Sequence, residues 1–329
     1  MKALIHEKQK GIAGLVYRET TESDPGPGEV RIQIKAAGLN HRDLFVLDRH
    51  DPVDPPFILG SDGAGVIDSL GEGVENHAAG EEIIINPGMG WRKNSAAPPE
   101  GFSILGFPSD GTFSESIILP EENVNPKPAH LSWEEAGVLS LSALTAYRAL
   151  FTRGNVQPGD KVLIPGIGSG VATFLLQFAK AAGAEVYVTS RSEEKQKRAL
   201  ELGADAAIDS SVDWKKALSG EKMDLVIESI GAATFNQSFD QLRKGGTLVT
   251  FGASAGDVIQ MDLRKFFYGQ YNMLGSTMGS AEEYKDMLQF MEKHNVKPVI
   301  DKMFALENFK EGFQRLERAD QFGKIGFVI

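Results

Sequence analysis

The residues best suited to chemistry lie in one short run, Pro165-Gly166-Ile167-Gly168-Ser169-Gly170-Val171-Ala172. An apolar stretch, Val162-Leu163-Ile164, precedes it. An amphipathic one follows, with Val171, Phe174, Leu175, Phe178 and Ala182 at helical spacing. Between a strand and a helix, glycines let the backbone turn sharply and approach a pyrophosphate. The helix N-terminus then offers unpaired N–H groups and a partial positive charge. The literal G-x-G-x-x-G spacing fails, because its last position is Val171; the variant Gly166, Gly168, Gly170, Ala172 fits. A purely structural turn could use the same glycines. The strands and helices that alternate around the run favour a dinucleotide.

The end of the next strand selects the dinucleotide. An acidic residue about 20 positions beyond the glycines would bind a ribose 2′-hydroxyl and repel a 2′-phosphate. No carboxylate occupies 189–192; the strand runs into Ser190-Arg191-Ser192, with Lys195 one turn along. Arg191 is placed to pair with a phosphate and Ser190 to hydrogen-bond it. The alternative is an ordinary solvated helix start, with Glu193 and Glu194 weakening the positive field. The balance favours NADP(H) over NAD(H).

Other chemistry is excluded by what is missing. None of the 329 residues is cysteine, so there is no disulfide framework, no Cys-rich zinc lobe and no cysteine nucleophile. The formal charge of −11, from 34 Lys+Arg against 45 Asp+Glu, argues against nucleic acid as a partner. Charge appears too early in Met1-Lys2-Ala3-Leu4-Ile5-His6-Glu7-Lys8 for a signal peptide, and no run of 18 apolar residues is present. A cytoplasmic protein with a small-molecule substrate and no membrane partner is expected.

The elements that must position the glycine run divide in two. Residues 30–35, 64–70, 82–85 and 112–119 read as short strands separated by Gly/Pro turns, as in a small barrel or sandwich. The stretch 86–111 is an aperiodic loop whose Trp91 and Phe102 could pack or wall an apolar pocket. A capping box, Ser132 with Glu135, opens a helix in two pieces to Leu150. Strands at 162–164, 185–189, 206–208, 225–227 and 248–251 then alternate with helices, the signature of a parallel sheet buried on both faces. Helices at 282–294 and 307–317 and a terminal apolar strand, 324–329, close the chain. The length alone favours two domains.

Several motifs in order now resemble one family: Pro25-Gly26-Pro27-Gly28-Glu29-Val30, Ala37-Gly38-Leu39-Asn40-His41-Arg42-Asp43, Gly60-Ser61-Asp62-Gly63-Ala64-Gly65, Leu144-Thr145-Ala146-Tyr147, the glycine run, Gly275-Ser276-Thr277-Met278-Gly279-Ser280 and Gly323-Lys324-Ile325. Across essentially its full length the chain resembles the medium-chain dehydrogenase/reductases. The resemblance implies an α/β fold, a GroES-like β-barrel catalytic domain (1–121 plus 266–329) with an inserted Rossmann doubly wound parallel sheet (122–265). It also implies nicotinamide and substrate in a cleft between the two.

What the resemblance implies residue by residue is more specific. Zinc members carry a cysteine where Asn40 stands, a His-Glu pair where Ser61-Asp62 stands, and a third ligand near Leu141, so no metal is expected. Asn40 is similar to the asparagine of the zinc-free quinone oxidoreductase branch, where it would hold the nicotinamide ribose or polarise a substrate carbonyl. The tyrosine that often follows in that branch is Phe45 here, which leaves the proton donor open among His41, His50, water held by Arg42, and solvent. Thr145 is similar to a threonine that packs on the nicotinamide; a small core-facing helix residue is the alternative. Ser229 and Gly252 lie at carboxyl ends of strands and are expected beside the cofactor; Ser276, in the Gly275–Ser280 motif of the resemblance, is expected there as well. Lys324 would reach a cofactor phosphate or cap the sheet edge.

These readings favour a zinc-independent, NADPH-dependent oxidoreductase that passes hydride to a quinone, enone or carbonyl. The alternatives are a zinc-type alcohol dehydrogenase or a non-catalytic NADPH sensor. A homodimer is expected, with Val258-Ile259-Gln260-Met261 as an edge strand.

Overall fold

A computed structural model describes every residue except Pro52. The chain divides into two units, residues 1–142 with 279–329, and residues 143–278.

The first unit is organised by one long strand, Glu29–Leu39. Val30, Ile32 and Ile34 alternate into the core, as a half-buried strand requires. One edge of this strand pairs antiparallel with Asp62–Leu70. The other edge is shared: its first half pairs with Ser116–Pro120 and its second half with Lys324–Val328. Glu82–Ile85 and Val124–Pro126 extend the sheet on one side, and Ile300–Ala305 lies parallel to the C-terminal strand on the other. A second sheet joins Leu15–Glu19, Lys2–His6 and Phe57–Ile58. Phe113, Phe313 and Phe327 fill the space inside, with Phe113 and Phe327 edge to face at 5.1 Å. Truncating Phe327 to alanine would cost about 3–5 kcal/mol.

This register does more than close a core. Asp62 faces Gly38, and Ile325 faces Leu39, so the next step of the same ladder sets Lys324 opposite Asn40. Gly38 has to be small: a Cβ there would lie 2.9 Å from Asp62 Oδ2 and 2.6 Å from Val138 Cα. Three polar residues distant in sequence are thereby delivered to one end of the sheet.

The second unit is a six-stranded sheet in which every pairing is parallel. Its order is Ala206–Asp209, Glu185–Ser190, Lys161–Ile164, Met223–Glu228, Leu242–Thr250, Asn272–Gly275. Numbered along this unit the order is 3-2-1-4-5-6, the doubly wound arrangement whose ligands sit at the strands' carboxyl ends. The helix Gly170–Ala181 connects the first two strands and buries Phe174, Leu175 and Phe178.

Three differences from the sequence reading have physical causes. The unit boundary falls at 142/143 and 278/279 instead of 121/122 and 265/266. Val124–Pro126 pairs with Glu82–Ile85, and the helix Trp133–Gly137 packs on Glu29–Leu39, so this stretch belongs with the barrel. Val258–Met261 is not a strand. Asn272–Gly275 takes the free edge of Leu242–Thr250 instead, leaving Val258 85% exposed in a loop. The 86–111 stretch has internal order: Gly88–Met89 pairs with Ser103–Ile104, and Trp91 is buried edge-on to Phe102 at 5.2 Å.

Candidate active site

In the second unit the glycine run makes a tight turn between a strand and the N-terminus of a helix. Gly166 and Gly168 have φ of +71° and +131°, a region closed to most side chains. A Cβ on Gly168 would meet Lys195 Cδ at 2.9 Å and Nζ at 3.3 Å, so the Lys195 side chain lies directly over the loop. The loop is pinned to the second strand by Gly166 N–H donating to Thr189 Oγ1 (3.2 Å) and Ile167 N–H to Thr189 O (2.9 Å). Ser169 caps the helix by accepting the Ala172 N–H at 3.1 Å. Gly170 and Val171 open its first turn and stay half-exposed.

The rim of that site is similarly fixed. Ser190 is buried at the end of its strand and accepts the Ser192 N–H, while Arg191 projects exposed. The buried Glu228 carboxylate accepts the Ile230 N–H at 2.7 Å, Gly231 N–H at 3.3 Å, Thr234 Oγ1 at 3.0 Å and Ser238 Oγ at 2.5 Å. It thus sets the turn that carries Ser229. Gly252 lies against that turn: a Cβ on it would sit 3.1 Å from Ser229 O. Ser276 donates its N–H to Thr250 O, and its buried Oγ has no partner among the described residues. A glycine cradle, a helix N-terminus and an overlying ammonium suit a pyrophosphate.

In the first unit the residues around Asn40 form a buried polar cluster. Asn40 is the N-cap of the helix His41–Arg49 and is 4% exposed. Its Nδ2 donates to Asp62 Oδ2 at 3.0 Å, and its Oδ1 accepts from Ser142 Oγ at 3.1 Å and from Lys324 Nζ at 2.5 Å. The Lys324 ammonium also reaches Leu39 O at 3.0 Å, Asp62 Oδ2 at 3.2 Å and Ser142 Oγ at 3.2 Å. Asp62 Oδ1 accepts the Leu141 N–H at 2.7 Å. Both charged side chains are essentially fully buried, a pairing that holds only when their hydrogen bonds are met.

The positions where the resemblance implies zinc ligands do not suit zinc in this chain. Asn40 turns its oxygen onto the Lys324 ammonium. Ser61 is committed to Leu105 O at 3.0 Å and takes a donor from Arg42 Nη1 at 3.2 Å. Leu141 has no ligating side chain. Both Asp62 oxygens are engaged, one of them by a cation. Zinc asks for thiolate, imidazole or carboxylate in a tetrahedral set, and none is assembled here. Among the described residues no cluster of three or more His, Asp or Glu side chains could hold a metal.

Two family models cover most of the chain, an alcohol dehydrogenase GroES-like domain at residues 26–129 and a zinc-binding dehydrogenase domain at 170–293. A zinc-type alcohol dehydrogenase-like protein of Schizosaccharomyces pombe is 34% identical over 100% of this chain and 99% of its own. The chain belongs to the medium-chain dehydrogenase/reductase superfamily. Its architecture, a GroES-like barrel with a Rossmann parallel sheet, matches that of a solved NAD-dependent alcohol dehydrogenase, 36% identical over both full lengths with a TM-score of 0.92. A crotonyl-CoA reductase of Streptomyces avermitilis is 28% identical over 92% of this chain and 79% of its own. These relatives are medium-chain oxidoreductases, and so is this protein.

The expected site residues therefore fall into two groups. Gly166, Gly168, Gly170, Val171, Ser190, Arg191, Lys195, Ser229, Gly252 and Ser276 all lie in the Rossmann unit of this dehydrogenase/reductase, as does the buried Thr145. Asn40, His41 and Lys324 lie in the barrel unit. His41 is exposed and meets Phe45 edge to face at 4.9 Å, outside the Asn40 cluster's hydrogen bonds. Sequence reasoning did not find Ser142, because a serine inside an apolar helix carries no signal of its own. The sequence reads Asp62 only as a replaced zinc-ligand position or as part of an improvised metal site with His41 and His50.

Proposed function

We propose that this NAD(P)-dependent oxidoreductase works without zinc, prefers NADP(H), and passes hydride to a quinone, enone or carbonyl. The observation that carries the reading is the donor set around Asn40. Where zinc members would gather metal ligands, this chain gathers an amide, a hydroxyl, a carboxylate and an ammonium hydrogen-bonded to one another. That supports membership of the zinc-free branch.

When bound, the nicotinamide supplies the hydride chemistry. The chain's residues do the rest. The Gly166–Gly170 turn and the first helical N–H groups hold the pyrophosphate, with Lys195 above Gly168 adding charge. Arg191 and Ser190 receive the 2′-phosphate, which favours NADP(H). Thr145 packs on the nicotinamide, and Asn40 orients the acceptor. The proton-bearing groups beside Asn40, the Lys324 ammonium and the Asp43 carboxyl, are held in internal hydrogen bonds, so acceptors such as quinones, whose reduction needs little acid catalysis, suit the site.

The name of the crotonyl-CoA reductase relative supports an activated alkene as acceptor. The names of the alcohol dehydrogenase relatives support the second reading, oxidation or reduction at an alcohol or aldehyde. Assays of NADPH and NADH oxidation with a benzoquinone, an enal and an aldehyde distinguish the two. Turnover confined to the aldehyde and dependent on added zinc contradicts the proposal.

The expected assembly is a homodimer. The exposed edge strand Asn272–Gly275 and the neighbouring Leu263, Phe267 and Tyr268, each more than half exposed, support this. Tyr268→Asp would then give a monomer by light scattering, where the natural protein is dimeric; a monomeric natural protein contradicts it.

A further inference from the structure

We infer that Lys324 is the resident cation of the catalytic centre, standing in for a metal as the group that orients Asn40 so that one amide N–H is offered to the substrate's carbonyl oxygen. The inference rests on the proposed zinc-free reading and deepens it.

The argument is a hydrogen-bond inventory. A lysine ammonium has three donors and no acceptor, and a carboxamide has two donors and one acceptor oxygen with two lone pairs. Asn40 Oδ1 receives both lone-pair partners it can take, Lys324 Nζ and Ser142 Oγ. Asp62 Oδ2 receives Asn40 Nδ2 and Lys324 Nζ, and Asp62 Oδ1 receives the Leu141 N–H. Ser142 Oγ donates to Asn40. The three N–H groups of Lys324 are shared among four acceptors within reach, Asn40 Oδ1, Leu39 O, Asp62 Oδ2 and Ser142 Oγ, so none of them is spare. One donor is left over. The second N–H on Asn40 Nδ2 has no partner among the described residues.

The orientation of the amide is not interchangeable. Flipping it would aim the NH₂ group at the ammonium and the hydroxyl, and the oxygen at a carboxylate. The hydroxyl could turn to accept, but the contacts with the ammonium and the carboxylate would both become repulsive inside a buried cluster, where unpaired polar groups are expensive. The cation thus selects which atom Asn40 presents, as a metal selects the orientation of its ligands. A donor fixed in advance is the arrangement that stabilises charge developing on a reacting oxygen. Lys324 touches no reacting atom in this scheme; it is a positioning residue.

The test pairs a binding and a kinetic readout. Lys324→Met with Asp62→Asn removes both charges together and leaves none buried alone. Against a benzoquinone with NADPH, this pair is expected to lower kcat about 10- to 100-fold while NADPH affinity, read by protein fluorescence, is unchanged. In an Asn40→Ala background the same pair is expected to cost no further kcat. Equal losses in both backgrounds, or weakened NADPH binding with unchanged kcat, would overturn the inference; the second would make Lys324 a phosphate-binding lysine.

Side-chain amide NMR of the natural protein decides the matter even if the variants fail to fold. One Asn40 Nδ2 proton should be protected from exchange by Asp62 and the other not. Equal behaviour of the two protons contradicts the assigned orientation. Absence of turnover with every acceptor would sink the proposed function and leave this NMR result standing by itself.

Discussion

Asp43 Oδ2 accepts the backbone N–H of Asn40 at 2.7 Å, so Asn40 is anchored by a carboxyl one helical turn away. Asp43 is fully buried, and its other oxygen has no partner among the described residues. Burial pushes its pKa from 3.8 up to about 7, against the opposing pull of Arg42.

The raised value makes stability pH-dependent with a definite sign. Between the unfolded and folded pKa values the folded state holds a proton that the unfolded state has lost. Stability from this group therefore falls as pH rises from about 4 to about 7, by about 1.4 kcal/mol per pH unit. Asp43→Asn cannot ionise and should lose this slope. Urea unfolding of both proteins across that window checks it; an unchanged difference in stability from pH 4 to 7 contradicts it.

Arg191 is exposed where the second strand of the Rossmann sheet ends. Arg191→Ala should weaken NADPH binding about 10- to 100-fold and leave NADH binding unaltered. Fluorescence titration with both nucleotides reads this directly. Equal losses for the two would mean that the guanidinium does not recognise the 2′-phosphate.

Gly168 combines φ of +131° with a Lys195 side chain packed on its open face. Gly168→Ala should cost about 1–3 kcal/mol of stability from backbone strain. It should also weaken either nucleotide, because Lys195 must move. Urea midpoints and nucleotide titrations report the two effects separately, and an unperturbed affinity would place the pyrophosphate elsewhere.

Glu228 holds the turn of Ser229 through two backbone N–H groups and two hydroxyls. Glu228→Leu leaves those donors buried without acceptors and should cost at least about 1–3 kcal/mol, while weakening nucleotide binding. If stability falls but affinity holds, the turn does not line the cofactor.

The Rossmann half was the more legible in the sequence because its signals are local. The glycine run, the apolar strands and the 3.6-residue period of 171–182 are each contained in a short window. The barrel's cluster was not legible in the same way. Asn40, Asp62 and Lys324 meet through the pairing of Glu29–Leu39 with two other strands, and Ser142 joins them from a helix whose Leu141 N–H bonds Asp62; contacts between segments far apart in the chain leave no local trace. Lys324 was read as a phosphate contact or an edge cap because a lysine near a chain end is ordinarily solvated; its burial follows from the C-terminal strand entering the middle of the sheet. The expected edge strand at 258–261 failed because apolar composition alone does not say which segment reaches a free sheet edge.

The most direct test of the zinc-free, lysine-centred site is elemental analysis of the purified protein alongside its quinone reductase activity. The expected result is far less than one zinc per chain, with NADPH-dependent turnover unaffected by prolonged chelation. One zinc per chain, with activity lost on chelation and restored by zinc, would contradict it.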